Sequence, residues 1–504
     1  MTTLNSDVLR TWDELPRQAE ILIVGGGLAG LELAKHLDLA GADGVLVLEA
    51  GAGHDLQHVY TVNDPVVADR LWTDERSDPY FVRSWESSAE PHFSVGSGIR
   101  QRLGGRSLYW HGVLLPIEEF ALSDPAWPIS VVRDLTHSWR DGPSLYARVQ
   151  ADLAAWGRAT PSTANNEICV GRFRFIDPPR SIRRPAVESK HWEAYSPLSH
   201  WIERSAGSNV CMVPDVKVIG VLTTDGRADG VVVRNRLTGE EKHVTASKTV
   251  LAAATVENTR LAIQTLHASE EPDSASLSGL FDHIVQGFNA TVAAADLPPW
   301  LVSRARDGAF LYMNGASASR SNLFIQLETA ESGDIEMEAW VTAEQERSTA
   351  GVVTCTPDGD WPWHVAISTG LSPEDTRTVA AQRRVLAEFW SAWCTQFDLP
   401  SNPLDFDFDF ISPKRTLRSM HEDMRDHDRA VHHCRPTTWA SPLGTEEHEG
   451  GTLAFGHVID ENHEFKKVRD LFAIGVSIFP RQGAANPSLT TLALARRLAA
   501  ILTA

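Results

Sequence analysis

The 504-residue chain carries 46 Lys and Arg residues against 66 Asp and Glu residues, a formal net charge of −20 at pH 7. Nucleic acids and anionic membranes select basic surfaces, so this acidic balance argues against both as partners. The hydrophobic fraction of 42% allows a large core and excludes disorder of the whole chain.

Sequence features also bear on the compartment. No apolar run reaches the roughly 18 residues of a transmembrane helix, and the first 20 residues lack the basic and apolar regions of a secretory signal. The five cysteines are scattered without a CxxC pair, and an odd number fits no complete disulfide framework. We therefore expect a soluble cytoplasmic protein, whose oligomeric state the sequence leaves open.

Residues 19–51 have the pattern of a βαβ unit. A short apolar run at 21–24 predicts a buried parallel strand, and three glycines follow it directly. Apolar residues at helical spacing then predict a helix, and a second apolar run at 45–48 predicts a strand that ends in Glu49. The length of the whole segment suits a strand, a crossover helix and a parallel strand.

The sequence GGGLAG at 25–30 fits the GxGxxG pattern of dinucleotide-binding turns. In that pattern Gly25 makes the tight turn, Gly27 lets the backbone approach a pyrophosphate, and Gly30 lets helix and strand pack closely. The alternative is a glycine-rich turn without a ligand, which would not explain why the glycines stand between a predicted strand and a predicted helix.

The residues around the glycines complete the predicted nucleotide site. Leu28 and Ala29 begin the helix, whose N-terminus stabilises the negative charge of a phosphate. Glu49 follows Gly25 by 24 residues, at the position where a carboxylate accepts hydrogen bonds from ribose hydroxyls. The motif predicts a bound dinucleotide and leaves FAD and NAD as alternatives.

Strand patterns return later in the chain. Residues 210–254 alternate apolar and polar positions, and the stretches SNLFIQLE, IEMEAWVT and WHVAIS between 290 and 415 predict further strands. LDFDFDFIS at 404–412 places Asp on one face and Phe on the other, which predicts a half-buried antiparallel strand. The C-terminal segment predicts a strand, a Gly/Pro loop and a helix, with Asn486 as the N-cap and Pro487 in the first turn.

Five blocks, spread over the chain, carry a family resemblance. They are the βαβ unit ending in EAG (49–51), LGGRSLYW (103–110), VLAAATVENTRLAI (250–263), LFDH (280–283), and a C-terminal pair formed by HEGGTLAFG (448–456) with SIFP (477–480) and NPSLT (486–490). In this order they resemble the glucose-methanol-choline (GMC) flavoprotein oxidoreductases, and more specifically the branch that is similar to pyranose oxidase.

The resemblance implies an α/β fold with two domains. A Rossmann-like FAD-binding domain would be assembled from discontinuous segments, and a substrate domain would contain an antiparallel sheet with helices. The FAD-binding domain is expected at residues 15–118, 205–290 and 441–504, and the substrate domain at residues 119–204 and 291–440.

The resemblance also implies the cofactor and its contacts. The cofactor would be FAD, with the loop around 104–110 beside the flavin and the strand containing Val216 at the adenine. The additional cofactor-binding residues implied in this way are Gly104, Gly105, Ser107, Trp110, Val216, Ala253, Gly475, Pro487 and Thr490. Relatives with a covalently attached flavin carry a histidine immediately before the loop tryptophan. Because this chain has Tyr109 there, we expect FAD to be bound non-covalently.

Oxidation of an alcohol to a carbonyl requires a base that removes the hydroxyl proton while hydride leaves carbon for flavin N5. A neutral imidazole suits this task. By resemblance, His448 is the base and Asn486 orients the substrate oxygen. From the residues alone, His448 could be a solvated loop histidine and Asn486 only a helix cap.

The substrate is the property that the resemblance defines least. It favours a sugar, a glycoside or a sugar-bearing metabolite, with oxygen or another acceptor reoxidising the flavin. An aminoglycoside- or nucleoside-type alcohol, a non-redox flavoprotein lyase of the same fold, and a flavin-binding protein without turnover remain alternatives. The segment HEDMRDHDRAVHHC (421–434) matches no common zinc spacing, so we expect no metal site.

Overall fold

The computed structural model describes residue 4 and residues 7–64, 67–68, 70–71, 77–87, 98–123, 125–157, 167–184, 191–203, 207–267, 275–314, 320–357, 360–406, 434–441 and 443–504. Within these ranges, no helix is both long enough and apolar enough to cross a membrane.

The strands, in chain order, are β1 (Gln18–Val24), β2 (Val45–Leu48), β3 (Phe81–Val82), β4 (Glu86–Ser87), β5 (Ile99–Arg100), β6 (Ser138–Trp139), β7 (Gly142–Pro143), β8 (Ile168–Val170), β9 (Phe173–Phe175), β10 (Ile182–Arg183), β11 (Glu193–Ala194), β12 (Val210–Val213), β13 (Val216–Thr224), β14 (Arg227–Asn235), β15 (Glu241–Leu251), β16 (Ala275–Ser278), β17 (His283–Val292), β18 (Ala309–Asn314), β19 (Ser321–Thr329), β20 (Ile335–Glu344), β21 (Val352–Thr356), β22 (His364–Ser368), β23 (Thr437–Ala440) and β24 (Leu471–Ala473).

The α-helices are Leu28–Leu39, Val59–Val62, Glu119–Leu122, Ile129–Thr136, Leu145–Gly157, Ser199–Ile202, Thr255–Leu266, Pro299–Arg306, Pro373–Gln396 and Ser488–Leu502. Short 3₁₀ helices are formed by Trp12–Glu14, Gly105–Leu108, Ala294–Asp296 and Val476–Ile478.

A seven-stranded sheet forms the first half of the molecule and contains the strands of the predicted βαβ unit. Its order is β12-β2-β1-β15-β14-β13, and β24 also pairs with β15. The pairs β12–β2, β2–β1, β1–β15 and β15–β24 are parallel. Alternate residues of β1 lie in two different core clusters, Leu22 in one and Ile23 in the other. Burial of both faces explains why this strand is a continuous apolar run.

A five-stranded antiparallel sheet forms the second half, in the order β18-β19-β20-β17-β23. One face is apolar and packs on the long helix Pro373–Gln396 through Phe389, Trp390 and Trp393. The opposite face carries alternate residues of the same strands, including His283 opposite Glu344. The α/β fold predicted from the sequence is confirmed.

The division between the two halves differs from the predicted bounds. Residue 290 falls inside β17, and both strands that pair with β17 belong to the five-stranded sheet. The segment 119–204 is also divided, because the helices Ile129–Thr136 and Leu145–Gly157 share a core cluster with Leu22 of the other sheet. The apolar faces of these helices pack on the half that contains the seven-stranded sheet, which sequence periodicity alone does not reveal. Most of the predicted strand 404–412 lies outside the described residues, and its first residues, 404–406, are not in a strand.

Ala254 precedes the buried helix Thr255–Leu266 in a conformation that is typical of glycine, with φ +67° and ψ 169°. An alanine in this region stores strain of about 1–3 kcal/mol. We therefore expect Ala254→Gly to raise the free energy of unfolding by about 1 kcal/mol, after the entropy cost of glycine is subtracted. Thermal unfolding of the two proteins measures this difference.

A second alanine provides the control. Ala305 is buried in the helix Pro299–Arg306, where glycine relieves no strain, so Ala305→Gly should lower the melting temperature. A melting temperature lowered equally by both substitutions would show that Ala254 is not strained.

Candidate active site

One elongated cavity lies at the carboxyl ends of the parallel strands β1, β2, β15 and β24. Its non-atom space, including its opening to solvent, amounts to about 1400 Å³. Ligands in sheets of this type bind where the parallel strands end. The predicted site residues that line the cavity are Gly25, Gly27, Leu28, Ala29, Glu49, Gly105, Ser107, Trp110, Val216, Ala253, His448, Gly475 and Pro487.

Four predicted residues, Gly30, Gly104, Asn486 and Thr490, do not line the cavity. A Cβ on Gly30 would lie 2.0 Å from the carbonyl oxygen of Gly25, so this glycine permits the close packing of helix and turn. Gly104 has φ +98° and donates its N–H to the carbonyl of Gly26 at 2.7 Å. Thr490 is buried and its hydroxyl hydrogen-bonds the Tyr146 hydroxyl at 2.8 Å, whereas Thr491 lines the cavity.

The glycine turn leaves room for a pyrophosphate. A Cβ built on Gly27 meets no described atom within 4 Å, although the residue lies at the N-cap of the helix Leu28–Leu39 and borders the cavity. A Cβ on Gly25 would instead lie 2.5 Å from the carbonyl oxygen of Ala252. The turn is therefore closed toward the protein and open toward the cavity. Together with the carboxylate of Glu49, it fits an adenine dinucleotide such as FAD.

Glu49 is held in place by the backbone. Its carboxylate accepts the N–H groups of Gly26 at 2.8 Å and Gly51 at 2.7 Å. Burial raises the pKa of Glu49 to about 7 despite these two donors. The side chain stands at the cavity wall in the fixed orientation that recognition of ribose hydroxyls requires.

Hydrogen bonds hold the loop 104–110 in place. Ser107 donates to the carbonyl of Gly104 at 2.6 Å and shares a 2.8 Å hydrogen bond with Ser196. Trp110 donates its indole N–H to the carbonyl of Tyr195 at 2.8 Å. Tyr109 is buried outside the cavity lining, and its hydroxyl donates to Asp78 at 3.2 Å.

A pair of histidines joins the start of β17 to the two C-terminal segments. His448 Nδ1 lies 2.9 Å from His283 Nδ1, and the rings are perpendicular. The other nitrogen of His283, Nε2, lies 3.1 Å from the carbonyl oxygen of Gly483. A carbonyl oxygen only accepts, so His283 Nε2 carries a proton. Burial lowers the pKa of His283 to about 4, so this ring is neutral and its Nδ1 is an acceptor.

These contacts assign the tautomer of His448. Its Nδ1 must donate to His283 Nδ1, because the latter carries no proton. Burial, followed by the fields of His283 and Arg106, lowers the pKa of His448 well below its ordinary value of 6.5. A neutral ring with its proton on Nδ1 has an unprotonated Nε2, and His448 borders the cavity. The side chain therefore has the protonation state of a general base.

Buried acidic groups and Arg106 hold the loop that carries His448. The backbone N–H of His448 donates to Asp282 at 3.2 Å, and the N–H of Gly444 donates to the same carboxylate at 2.8 Å. Arg106 pairs with Glu447 at 3.1 Å and with Glu449 at 2.8 Å, on either side of His448 in the chain. These contacts fix the position of the imidazole from both sides.

Asn486 is not the N-cap that the sequence predicted. The last helix begins at Ser488, and Pro487 occupies the cap position, because its carbonyl accepts the N–H of Thr491 at 2.9 Å. Asn486 is half-buried, and its side chain forms no hydrogen bond with another described residue. The preceding loop is fixed, since Ala484 donates its N–H to Glu118 at 2.9 Å. Asn486 itself is not in the cavity lining, although the next two residues, Pro487 and Ser488, are.

Sequence reasoning missed the partner role of His283. Its block, LFDH, was recognised for the resemblance alone, and no role was assigned to its histidine. Arg106 was missed in the same way, although it lies inside a recognised block. For the metal interpretation, His421, His427, His432 and His433 lie outside the described residues, and Cys434 is buried. Among the described residues, no group of three potential ligands is close enough to hold a metal ion.

Comparison with known proteins agrees with this geometry. A family model described as GMC oxidoreductase, for the C-terminal domain, matches residues 347–495. The chain carries a GMC oxidoreductase domain. The GMC family and the enzyme class predicted from the sequence, an FAD-dependent oxidoreductase, are confirmed, and GMC oxidoreductases bind FAD. The branch that is similar to pyranose oxidase stays a prediction. No curated protein sequence matches the chain.

Solved structures share the fold over nearly the whole chain. Pyridoxine 4-oxidase from Mesorbium loti is 17% identical with a TM-score of 0.58, and the match covers 96% of this chain and 98% of that one. A variant of formate oxidase from Aspergillus oryzae RIB40 is 15% identical with a TM-score of 0.61, covering 97% and 98%. At these identities the likeness concerns the fold.

The open turn at Gly27 makes a direct prediction. Gly27 has φ −89°, which valine tolerates, and nothing lies within 4 Å of its Cβ among the described atoms. Gly27→Val should therefore fold but fail to bind FAD, because the isopropyl group occupies the place of the pyrophosphate. The absorbance ratio of flavin to protein after purification, with circular dichroism as a test of folding, measures the loss.

Gly207 is a matched control, since it is exposed and its Cβ also meets no described atom within 4 Å. Gly207→Val should be as yellow as the wild type. A folded and fully flavin-loaded Gly27→Val protein would contradict the assignment of the turn.

Proposed function

We propose that this protein oxidises an alcohol to a carbonyl with FAD, and that His448 is the base and Asn486 orients the substrate oxygen. The observation that carries the proposal is the histidine pair, which leaves His448 Nε2 unprotonated at the cavity wall. When bound, FAD supplies the hydride acceptor.

Different residues of the protein would bind the cofactor, accept the proton and orient the substrate. The cavity wall at Gly27 and Glu49 would hold the pyrophosphate and the adenosine half of the cofactor. His448 Nε2 accepts the substrate's hydroxyl proton, and the hydrogen bond to His283 keeps the ring in the tautomer that allows it. Asn486 would donate to the substrate oxygen and align the hydroxyl for proton transfer.

Several finer properties belong to this proposal. We propose non-covalent FAD, because Tyr109 lies outside the cavity lining and is engaged with Asp78. The structural neighbours are named as oxidases, which supports oxygen as one possible acceptor beside others. A soluble cytoplasmic location and the absence of nucleic-acid and membrane partners stay predictions from composition.

The substrate class is supported only coarsely. A sugar, a glycoside or a sugar-bearing metabolite follows from the branch that the sequence resembles, and aminoglycoside- or nucleoside-type alcohols stay alternatives. A non-redox lyase of the same fold would need no acceptor for hydride. Anaerobic bleaching of the flavin by a hydroxylated compound separates oxidation from the lyase alternative.

His448→Ala tests the base. The variant should retain FAD, but its flavin should be reduced by substrate about 10²–10⁴-fold more slowly, which is the usual contribution of a general base. Anaerobic stopped-flow absorbance measures the rate constant. His457 is exposed and outside the cavity lining, so His457→Ala should keep the wild-type rate constant. Near-wild-type reduction in His448→Ala would refute the assignment.

His283 is expected to act through His448. Asparagine can place an acceptor oxygen near the position of Nδ1, so His283→Asn should preserve the tautomer of His448, whereas His283→Ala should not. We expect a reduction rate constant about tenfold or more lower for Ala than for Asn. The ¹⁵N shifts of the His448 ring report the tautomer directly. Equal rate constants and an unchanged tautomer in His283→Ala would contradict the role.

The pH dependence follows from the direction of the His448 pKa. A base whose pKa is lowered stays neutral to more acidic pH, so its activity is present above the lowered pKa and is lost only below it. The limiting rate constant for flavin reduction should be constant between about pH 8 and pH 6. A fall to half near pH 6.5 would show that His448 titrates as an ordinary histidine.

A further inference from the structure

Arg180 lies outside the cavity lining, beside the loop that carries Trp110, and has no carboxylate partner in the part of the chain that the structure describes. Its backbone pairs with Val113, just after the loop that ends in Trp110 and His111. The guanidinium Nε–H donates to the carbonyl of His111 at 3.0 Å. Among the described residues, Arg180 forms no ion pair, and its terminal nitrogens Nη1 and Nη2 donate to no protein group.

The guanidinium is held between two aromatic rings. Its central carbon lies 5.4 Å from the ring centre of Trp192 and 5.3 Å from that of Phe310. Burial, followed by repulsion from Arg184, lowers the pKa of Arg180 to about 10. The group is therefore still a cation at neutral pH, half-buried and only partly compensated by the rings.

An aromatic surface leads from Arg180 to the candidate catalytic loop. Phe310, Phe324 and Trp340 lie on the same face of the five-stranded sheet, with near-parallel rings whose centres are 5.4–5.9 Å apart. Phe324 packs in one cluster with Ala485, which directly precedes Asn486. Phe310 thus lies between Arg180 and Phe324, and Arg180 is at the end of this surface that is farther from Asn486.

We propose that Arg180 binds a carboxylate on the substrate, so that the substrate is a ring-shaped alcohol carrying a carboxylate away from the oxidised hydroxyl. This inference rests on the proposed function. The two terminal nitrogens of a guanidinium match a carboxylate bidentately. The ring of the substrate would lie against Phe310 and Trp340, which are half-buried, whereas Phe324 is buried beneath them. Two sources have this chemistry, a sugar acid and an aromatic carboxylic acid.

Matched pairs of probes test the proposal on the FAD-loaded protein. One pair is methyl glucuronide with methyl glucoside, and the other is 4-(hydroxymethyl)benzoate with benzyl alcohol. Equilibrium binding is measured by calorimetry and by the absorbance change of the bound flavin, and anaerobic flavin reduction is measured separately. In at least one pair, the carboxylate should bind about tenfold or more tightly than its neutral partner, and the pair that shows this identifies the source.

Arg180→Gln should abolish the preference, so that the affinity ratio within the pair falls toward one. Arg180→Lys keeps the charge but loses the planar fork, so it should retain only part of the preference. Arg174→Gln is the matched control, because Arg174 is an exposed arginine in the same segment and pairs with Glu167. It should leave the ratio unchanged. Circular dichroism and flavin content establish that each variant is folded and loaded.

The outcomes separate the two proposals. Arg180-dependent carboxylate binding without flavin reduction would support the carboxylate site while counting against alcohol oxidation of these probes. No preference for the carboxylate in either pair would overturn the site, as would a preference that survives in Arg180→Gln. Both results are independent of whether the flavin is reduced.

Discussion

The hydrogen-bond chain from the carbonyl of Gly483 through His283 to His448 is the constraint on which the candidate site depends. It joins three distant stretches of sequence, a strand of the five-stranded sheet and two C-terminal segments. Because a carbonyl oxygen cannot donate, the chain has one direction, and that direction leaves His448 Nε2 free of a proton. Burial acts in the same sense, since it disfavours the charged form of both rings. Geometry and electrostatics thus prepare the same protonation state before any substrate arrives.

The two sheets surround the hydrogen-bonded histidine pair, and each contributes a different part of the candidate site. The parallel strands of the first sheet end at the cavity, where glycines and a helix N-terminus provide space and positive potential for phosphate. His283 begins a strand of the second sheet, so that sheet contributes directly to the histidine pair. The same face of the second sheet carries the aromatic residues and leads to Arg180. Cofactor recognition therefore depends on one sheet, and substrate recognition, as we propose it, on the other.

Much of the cofactor half could be predicted from sequence, because its determinants are local. The GGGLAG turn needs one strand before it and one helix after it, and the glycines at 25, 27 and 30 each have a distinct steric reason. Determinants that depend on tertiary packing were not predictable in this way. Thr490 and Thr491 differ by one helical position, which decides whether the side chain meets Tyr146 or the cavity. The cap assigned to Asn486 was wrong because Pro487 itself supplies the first helical acceptor. The pairing of His283 with His448 spans 165 residues, and no local pattern reports it.

The visible spectrum of the purified wild-type protein, before and after anaerobic addition of a panel of sugars, glycosides and their carboxylated counterparts, tests the central claim most directly. We expect the spectrum of oxidised flavin, bleached by at least one hydroxylated compound and restored by an electron acceptor. A flavin spectrum that no alcohol bleaches would contradict oxidation at the His448 site while leaving the fold intact. A protein that binds no flavin would contradict the assignment of the cavity itself.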